Sequence, residues 1–262
     1  KQFKIINMDF LNQDFKLFYE SPSDIPAPYR FEALFDFKGF ENDALSLSLH
    51  IQYLEREDFS SEELISEGLS VEDKFEWSGE LPIIWKNRLA ISFAKYKTGS
   101  CDPKDAEPFI AIEAANSSTY VPRFLEFEEN LIQELMQAIF EVAGKEYPLF
   151  LGFQFKDVND SWNKYQGDMS FANLNFTYSD SNGTLATISD WDKLQDLVNT
   201  IFIAEFITDK ALEDLKRSSA FAIFPGDGFW YIAGDSLRKP SGNTNYFDIL
   251  EMKLRDLFQQ NL

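Results

Sequence analysis

One cysteine and one histidine occur in 262 residues. A lone cysteine forms no intrachain disulfide and builds no thiolate cage. A lone histidine excludes His-rich metal centres and weakens any Ser-His-Asp reading. No apolar run approaches the roughly 20 residues that cross a bilayer. Basic residues are also scarce: 24 Lys and Arg stand against 44 Asp and Glu, a formal charge of −20. Duplex nucleic acid and anionic membrane surfaces repel such a chain, so neither is an expected partner. A Gly-rich phosphate loop, a dinucleotide fingerprint, a Gly-x-Ser-x-Gly elbow and a zinc-protease helix pair are all missing. The sequence therefore assigns no catalytic residue, no cofactor and no metal ligand.

What is present is a core. Hydrophobic residues make up 44% of the chain, and 27 of its residues are Phe. That composition excludes bulk disorder and predicts thick aromatic packing. Length permits one domain or two. The chain starts at Lys1, which leaves a removed leader open; a soluble cytoplasmic protein is the expectation.

Periodicity predicts an α+β fold, with antiparallel sheets covered by amphipathic helices. Alternation, broken only at Leu34, marks strands over Phe31–Phe37 and Leu45–Tyr53. A short helix is predicted over Ser61–Glu67, capped by Ser60 or Ser61 and stopped by Gly68. Leu89–Tyr96 and Phe109–Ala114 read as further strands. A helix follows from about Arg123 to Ala143, with Phe124, Phe127, Leu131, Leu135, Ile139 and Val142 on one stripe between Pro122 and Gly144. Further on, strands are expected at Leu149–Phe155, Ser170–Tyr178, Ala220–Phe224 and Phe229–Ala233. Helices are expected at Asp190–Phe206, with Ser189 and Asp192 as a capping box, at Asp209–Arg217 and at Tyr246–Gln259. Phe35–Lys38 echoes Phe153–Lys156, Phe109–Ile112 echoes Phe229–Ile232, and the helix near Arg123 is answered by the one near Tyr246. These echoes suggest an internal duplication, strand-strand-helix-strand-strand-helix twice, with halves at 1–145 and 146–262, tightly docked.

Isolated chemistry is sparse. His50 lies on the polar side of its strand, and Cys101 lies in a loop beside Asp102. Asp180–Gly183 departs from the calcium-loop pattern and reads as a hairpin turn; Gly226-Asp-Gly228 is turn chemistry. Trp191, Trp230 and Tyr231 sit within regular elements and suit a core better than a stacking platform.

The most distinctive segment is Glu55–Glu80, with ten acidic residues and two basic ones, Arg56 and Lys74. Phe59, Phe75 and Trp77 are interleaved with the charges. Carboxylates around aromatic anchors suit a cationic partner, because charge speeds encounter and rings supply affinity. The expectation is a non-catalytic interaction protein of antitoxin or inhibitor type. It would bind, and neutralise, a basic protein through Glu57, Asp58, Phe59, Glu62, Glu63, Glu67, Asp73 and Trp77. Two other classes stay open: a hydrolase using carboxylates in a cleft between the halves, and a small-ligand module with an aromatic-lined pocket.

Overall fold

The computed structural model describes residues 8–40, 44–99, 108–123, 125–156, 160–215 and 220–259. The chain is mixed α+β, and its sheets are antiparallel. It divides into two compact units, Lys1–Glu146 and Tyr147–Leu262.

The first unit contains β1 (Phe15–Glu20), β2 (Phe31–Phe37), β3 (Leu45–Tyr53), α1 (Ser61–Ser66), β4 (Lys74–Leu81), α2 (Ile83–Phe93), β5 (Lys97–Thr98), β6 (Phe109–Ala114), β7 (Thr119–Val121) and α3 (Leu125–Val142). Its seven strands are ordered β4-β3-β2-β1-β6-β7-β5. Register explains the alternation. Trp77 pairs with Leu49, Leu49 with Phe35, Phe35 with Leu17, and Leu17 with Ile112, so one face is apolar across five strands. One residue along, Glu76, His50, Leu34, Phe18 and Ala111 form the row on the opposite face. Side chains alternate with a period of two, so each strand writes two different surfaces. The rings of Phe15 and Phe37 stack at 4.7 Å between centroids. Each ring sealed from water contributes about 2–3 kcal/mol. α3 packs against β4 and β6, with Phe140 edge-on to Phe75 at 5.0 Å, and α2 touches β3.

The second unit contains β8 (Leu149–Lys156), β9 (Trp162–Ser170), β10 (Asn175–Ser179), β11 (Leu185–Ile188), α4 (Trp191–Phe202), β12 (Glu205–Phe206), β13 (Ala222–Phe224), β14 (Tyr231–Ile232), β15 (Leu237–Arg238) and α5 (Tyr246–Gln259). Six strands run β11-β10-β9-β8-β13-β14, and β12 pairs with β15 alone. Phe258 of α5 is a hub. Its ring lies 4.3 Å from Tyr165, 4.9 Å from Tyr178 and 5.7 Å from Phe153.

Several sequence expectations need correction. Leu89–Tyr96 is not a strand: residues to Phe93 belong to α2, because Trp85, Leu89 and Phe93 recur every four residues and are all buried. Ser170–Tyr178 is a turn followed by β10, and Leu174 adopts φ 50° in that turn. β9 has no clear alternation in sequence because Gly167 interrupts its inward face. A Cβ there would lie 2.0 Å from the Thr177 carbonyl oxygen, so the close strand approach requires glycine. The helix expected at Asp209–Arg217 is a single 3-10 turn at Thr208–Lys210. Leu212 then exchanges backbone hydrogen bonds with Trp230, and residues 216–217 lie outside the described residues. α4 ends at Phe202, and its cap is Asp190, which accepts from Lys193 N, not the Ser189–Asp192 box. α3 begins at Leu125, and Phe124 lies outside the described residues. Phe127 is 73% exposed, whereas its neighbour Glu128 is buried.

Candidate functional site

The segment Glu55–Glu80 leaves the end of β3, forms a 3-10 turn at Arg56–Asp58 and then α1, and returns as β4 on the edge of its sheet. All ten of its carboxylate side chains are exposed. Exposure costs an ionised carboxylate nothing in desolvation, so the charge is fully expressed.

The segment is tied down from inside by one of its two cations. Arg56 is buried. Its Nε donates to the Pro28 carbonyl at 3.1 Å, and its Nη1 donates to the carbonyls of Ser70 at 3.0 Å and Glu72 at 2.8 Å. The guanidinium also stacks 3.5 Å above the Tyr53 ring. A flat fork of five donors reaches three carbonyls on two segments while its plane stacks on a third, which a lysine ammonium does not reproduce. Arg56 thereby joins the loop before β2, the end of β3 and the loop before β4. Glu55, just ahead of it, takes the left-handed conformation at φ 59°.

α1 has a complete capping box. Ser60 N donates to Glu63 Oε2 at 2.8 Å, and Glu63 N donates to Ser60 Oγ at 3.3 Å. The Ser60 backbone N–H, then its hydroxyl, hold the Glu63 carboxyl below its ordinary value. Leu64 is the buried anchor of the helix. Gly68, at φ 75°, lets the chain leave in a left-handed turn, and its N–H bonds the Ile65 carbonyl at 3.0 Å. Tyr29 Oη donates to Glu67 Oε2 at 3.0 Å, and that bond raises the tyrosine pKa. Among the described residues, ion pairs touch the segment at Arg30–Glu55, 3.6 Å with Arg30 half-buried, and at the exposed Lys74–Glu76, 3.4 Å. Such pairs contribute about 0–1 kcal/mol, so the surface stays strongly negative.

β4 divides its side chains. Phe75, Trp77 and Leu81 share the face that pairs with the buried residues of β3; Lys74, Glu76, Ser78 and Glu80 take the other. The charged outer face protects a free sheet edge from pairing with another strand. Trp77 lies flat over Gly79, where an added Cβ would meet the ring at 2.4 Å. The eight residues expected to form the site therefore separate. Glu57, Asp58, Glu62, Glu63, Glu67 and Asp73 are exposed along the segment, Phe59 is half-buried, and Trp77 turns to the core side. Two exposed apolar residues within the acidic run, Ile65 and Val71, were not singled out from the sequence.

A second polar cluster lies between α2 and α3. Glu128 is buried and accepts from the hydroxyls of Ser92 and Tyr96. Burial pushes its carboxyl up, opposed by Ser92, then Tyr96, then the nearby Lys95 charge. Tyr96 is raised well above its ordinary value by burial and by Glu128, so it keeps its proton and donates. One turn away, Arg88 donates to Glu134 at 2.9 Å; Tyr19 of β1 donates to Glu129 at 3.2 Å. The sequence signal was the spacing: Glu128 precedes Leu131 by three and Leu135 by seven, on the stripe that α3 buries.

The other isolated candidates settle simply. His50 is exposed on β3. Cys101 lies outside the described residues. Asp180 turns the β10–β11 hairpin by accepting from Asn182 N and Thr184 N, each at 2.8 Å, and the Thr184 backbone leads in lowering its pKa. Asp227 accepts from Phe229 N at 3.0 Å and from the Tyr231 hydroxyl. Trp191, Trp230 and Tyr231 are buried. Among the described residues, no cluster of three or more His, Cys, Asp or Glu side chains is placed to hold a metal, and no helix is long and apolar enough to cross a membrane. Comparison with protein-family models, curated proteins and solved structures gave no match.

Proposed function

We propose that the chain is a non-catalytic interaction protein that captures a basic partner protein through the segment Glu55–Glu80, in the manner of an antitoxin or inhibitor. The supporting observation is the joint occurrence of exposed charge and internal fixation. Ten carboxylates face water on a backbone held by Arg56 and by the Ser60–Glu63 cap. Fixed charges lose little ordering entropy on association and steer encounter. The affinity anchors are Ile65, Val71 and the half-buried Phe59, in place of Trp77. The reading extends to the fold. The matching strand orders, a four-strand meander continued across its first strand by later strands, support an origin by duplication, with helices covering the apolar sheet faces. The echoes noted in sequence are out of register with those orders, since Phe35–Lys38 reaches into the second strand of its meander and Phe153–Lys156 lies in the first.

The test is capture from the native source with wild-type bait and with Glu57→Lys, Glu62→Lys, Glu67→Lys bait. Glu63 is left in place because it closes the cap. The wild type retains a set of basic proteins that the triple variant releases; identical retention by both baits overturns the reading.

A further inference from the structure

Four strands end the two large sheets: β4 and β5 in the first unit, β11 and β14 in the second. A free edge offers unpaired N–H and C=O groups to any other strand, and proteins blunt such edges with charge or by keeping them very short. β5 and β14 are two residues long, and β4 carries Lys74, Glu76 and Glu80 on its outer face. β11 has neither protection. No ionisable residue occurs from Ser181 to Ser189, in a chain of charge −20, and Leu185 is 76% exposed.

The ladder fixes which backbone groups are free. Asp180 N donates to the Thr184 carbonyl at 3.0 Å, and the pairing of β10 with β11 continues through Tyr178–Ala186 and Phe176–Ile188. In an antiparallel pair, bonded positions alternate with unbonded ones, so Thr184, Ala186 and Ile188 direct their backbone groups to β10. Leu185 and Thr187 turn theirs to the open edge, where nothing else pairs with them among the described residues. Their side chains share the face of Thr177 and Ser179, and Thr187 Oγ1 meets Thr177 Oγ1 at 3.2 Å.

We propose that β11 is the contact through which two copies of this chain join their six-stranded sheets. An antiparallel strand is complementary to itself: a twofold axis perpendicular to the sheet sets each donor against an acceptor of the same strand reversed. The axis passes between the two Ala186 residues. Leu185 of each copy then exchanges both backbone hydrogen bonds with Thr187 of the other, which satisfies every outward group of the strand. Ala186 meets its own twin at the unbonded position, where the Cα atoms come closest and a small side chain fits. An uncharged edge gives a cationic strand nothing to recognise, but it removes the local repulsion that two copies of an acidic chain otherwise meet. Pairing occupies the edge on both copies, so assembly closes at two. The contact uses the second unit alone and is independent of the acidic segment.

Sedimentation velocity over a concentration series tests it, with circular dichroism and thermal melting to confirm folding. The wild type is a dimer that dissociates on dilution and tightens with added salt, because screening relieves the general repulsion between two chains of charge −20. Thr187→Pro removes an outward N–H and leaves the bonds to β10 in place, since proline is accepted at an edge position whose N–H faces solvent. It raises the dimer dissociation constant about tenfold or more. A second readout locates the axis. With Cys101→Ser as background, Ala186→Cys cross-links two copies under mild oxidation, because like positions face each other there. Leu185→Cys does not, because its twin lies diagonally, about 7–8 Å away and beyond disulfide reach. A wild type that stays monomeric at every concentration and salt, a folded Thr187→Pro variant that dimerises as the wild type does, cross-linking that is equal at the two positions, or assemblies that grow beyond two copies each overturn the proposal.

Discussion

Glu63 and Glu128 carry the same carboxyl group on helices of the same unit, and the two are held in opposite ways. Glu63 sits in water, accepts from the Ser60 backbone and is pulled below its ordinary pKa. Glu128 sits under α2, accepts from Ser92 and Tyr96 and is pushed above its ordinary pKa by burial. The first keeps its charge in solvent. The second accepts hydrogen bonds in a buried seam, where charge is a burden. Counting acids does not separate these roles; solvent and donors do.

The largest expected effect tests the buried member. Glu128→Ala leaves the hydroxyls of Ser92 and Tyr96 without their acceptor and costs about 3 kcal/mol, read by denaturant unfolding. A loss under about 1 kcal/mol would mean the seam is not a lock. Glu128→Gln retains an acceptor and cannot ionise. The folded protein holds the Glu128 proton to a higher pH than the unfolded chain does. Its contribution to stability is therefore complete below the unfolded glutamate value and is lost as pH rises through the folded one. Glu128→Gln flattens that decline; an unchanged pH profile contradicts it.

Next comes the staple of the acidic segment. Arg56→Ala removes three hydrogen bonds to carbonyls and the stack on Tyr53, at about 2 kcal/mol. Amide hydrogen exchange over residues 57–73 quickens more than in the sheet interior. Uniform quickening across the first unit would show that Arg56 supports the whole sheet rather than this segment. Ser60→Ala follows at about 1 kcal/mol, with the Glu63 carboxyl rising toward its ordinary value in carbon-detected NMR titration. The smallest effect on stability belongs to Glu57→Lys, Glu62→Lys, Glu67→Lys. These exposed reversals leave melting within about 0.5 kcal/mol of wild type. A large loss there would place the acidic segment with Glu128 as a structural element.

How far the sequence could be read follows the same division. α5 is legible to its bounds and α1 nearly so, because Ser60 and Gly68 mark its ends and Leu64 anchors it. β2 and β3 are legible because one face is buried and the other wet, which writes alternation into the chain. β9 is hidden by Gly167, whose reason lies on the neighbouring strand. α2 is mistaken for a strand because Leu89, Ile91 and Phe93 alternate, although Ile91 faces solvent. Of the site, the exposed acids are visible in composition. The burial of Arg56 is not, because its acceptors are carbonyls as far away as Pro28. Glu128 is marked only by its spacing on the buried stripe of α3; its donors, Ser92 on α2 and Tyr96 just after it, are not legible.

In the proposed function, fixed surface charge on Glu55–Glu80 speeds capture of a cationic protein. The direct measurement is the association rate of the retained basic partner against ionic strength, from about 10 mM to about 0.5 M, for wild type and Glu57→Lys, Glu62→Lys, Glu67→Lys. The expected wild-type rate falls steeply with salt, and the triple variant is about tenfold slower at low salt with a nearly flat dependence. Superimposable salt profiles for the two proteins would contradict it.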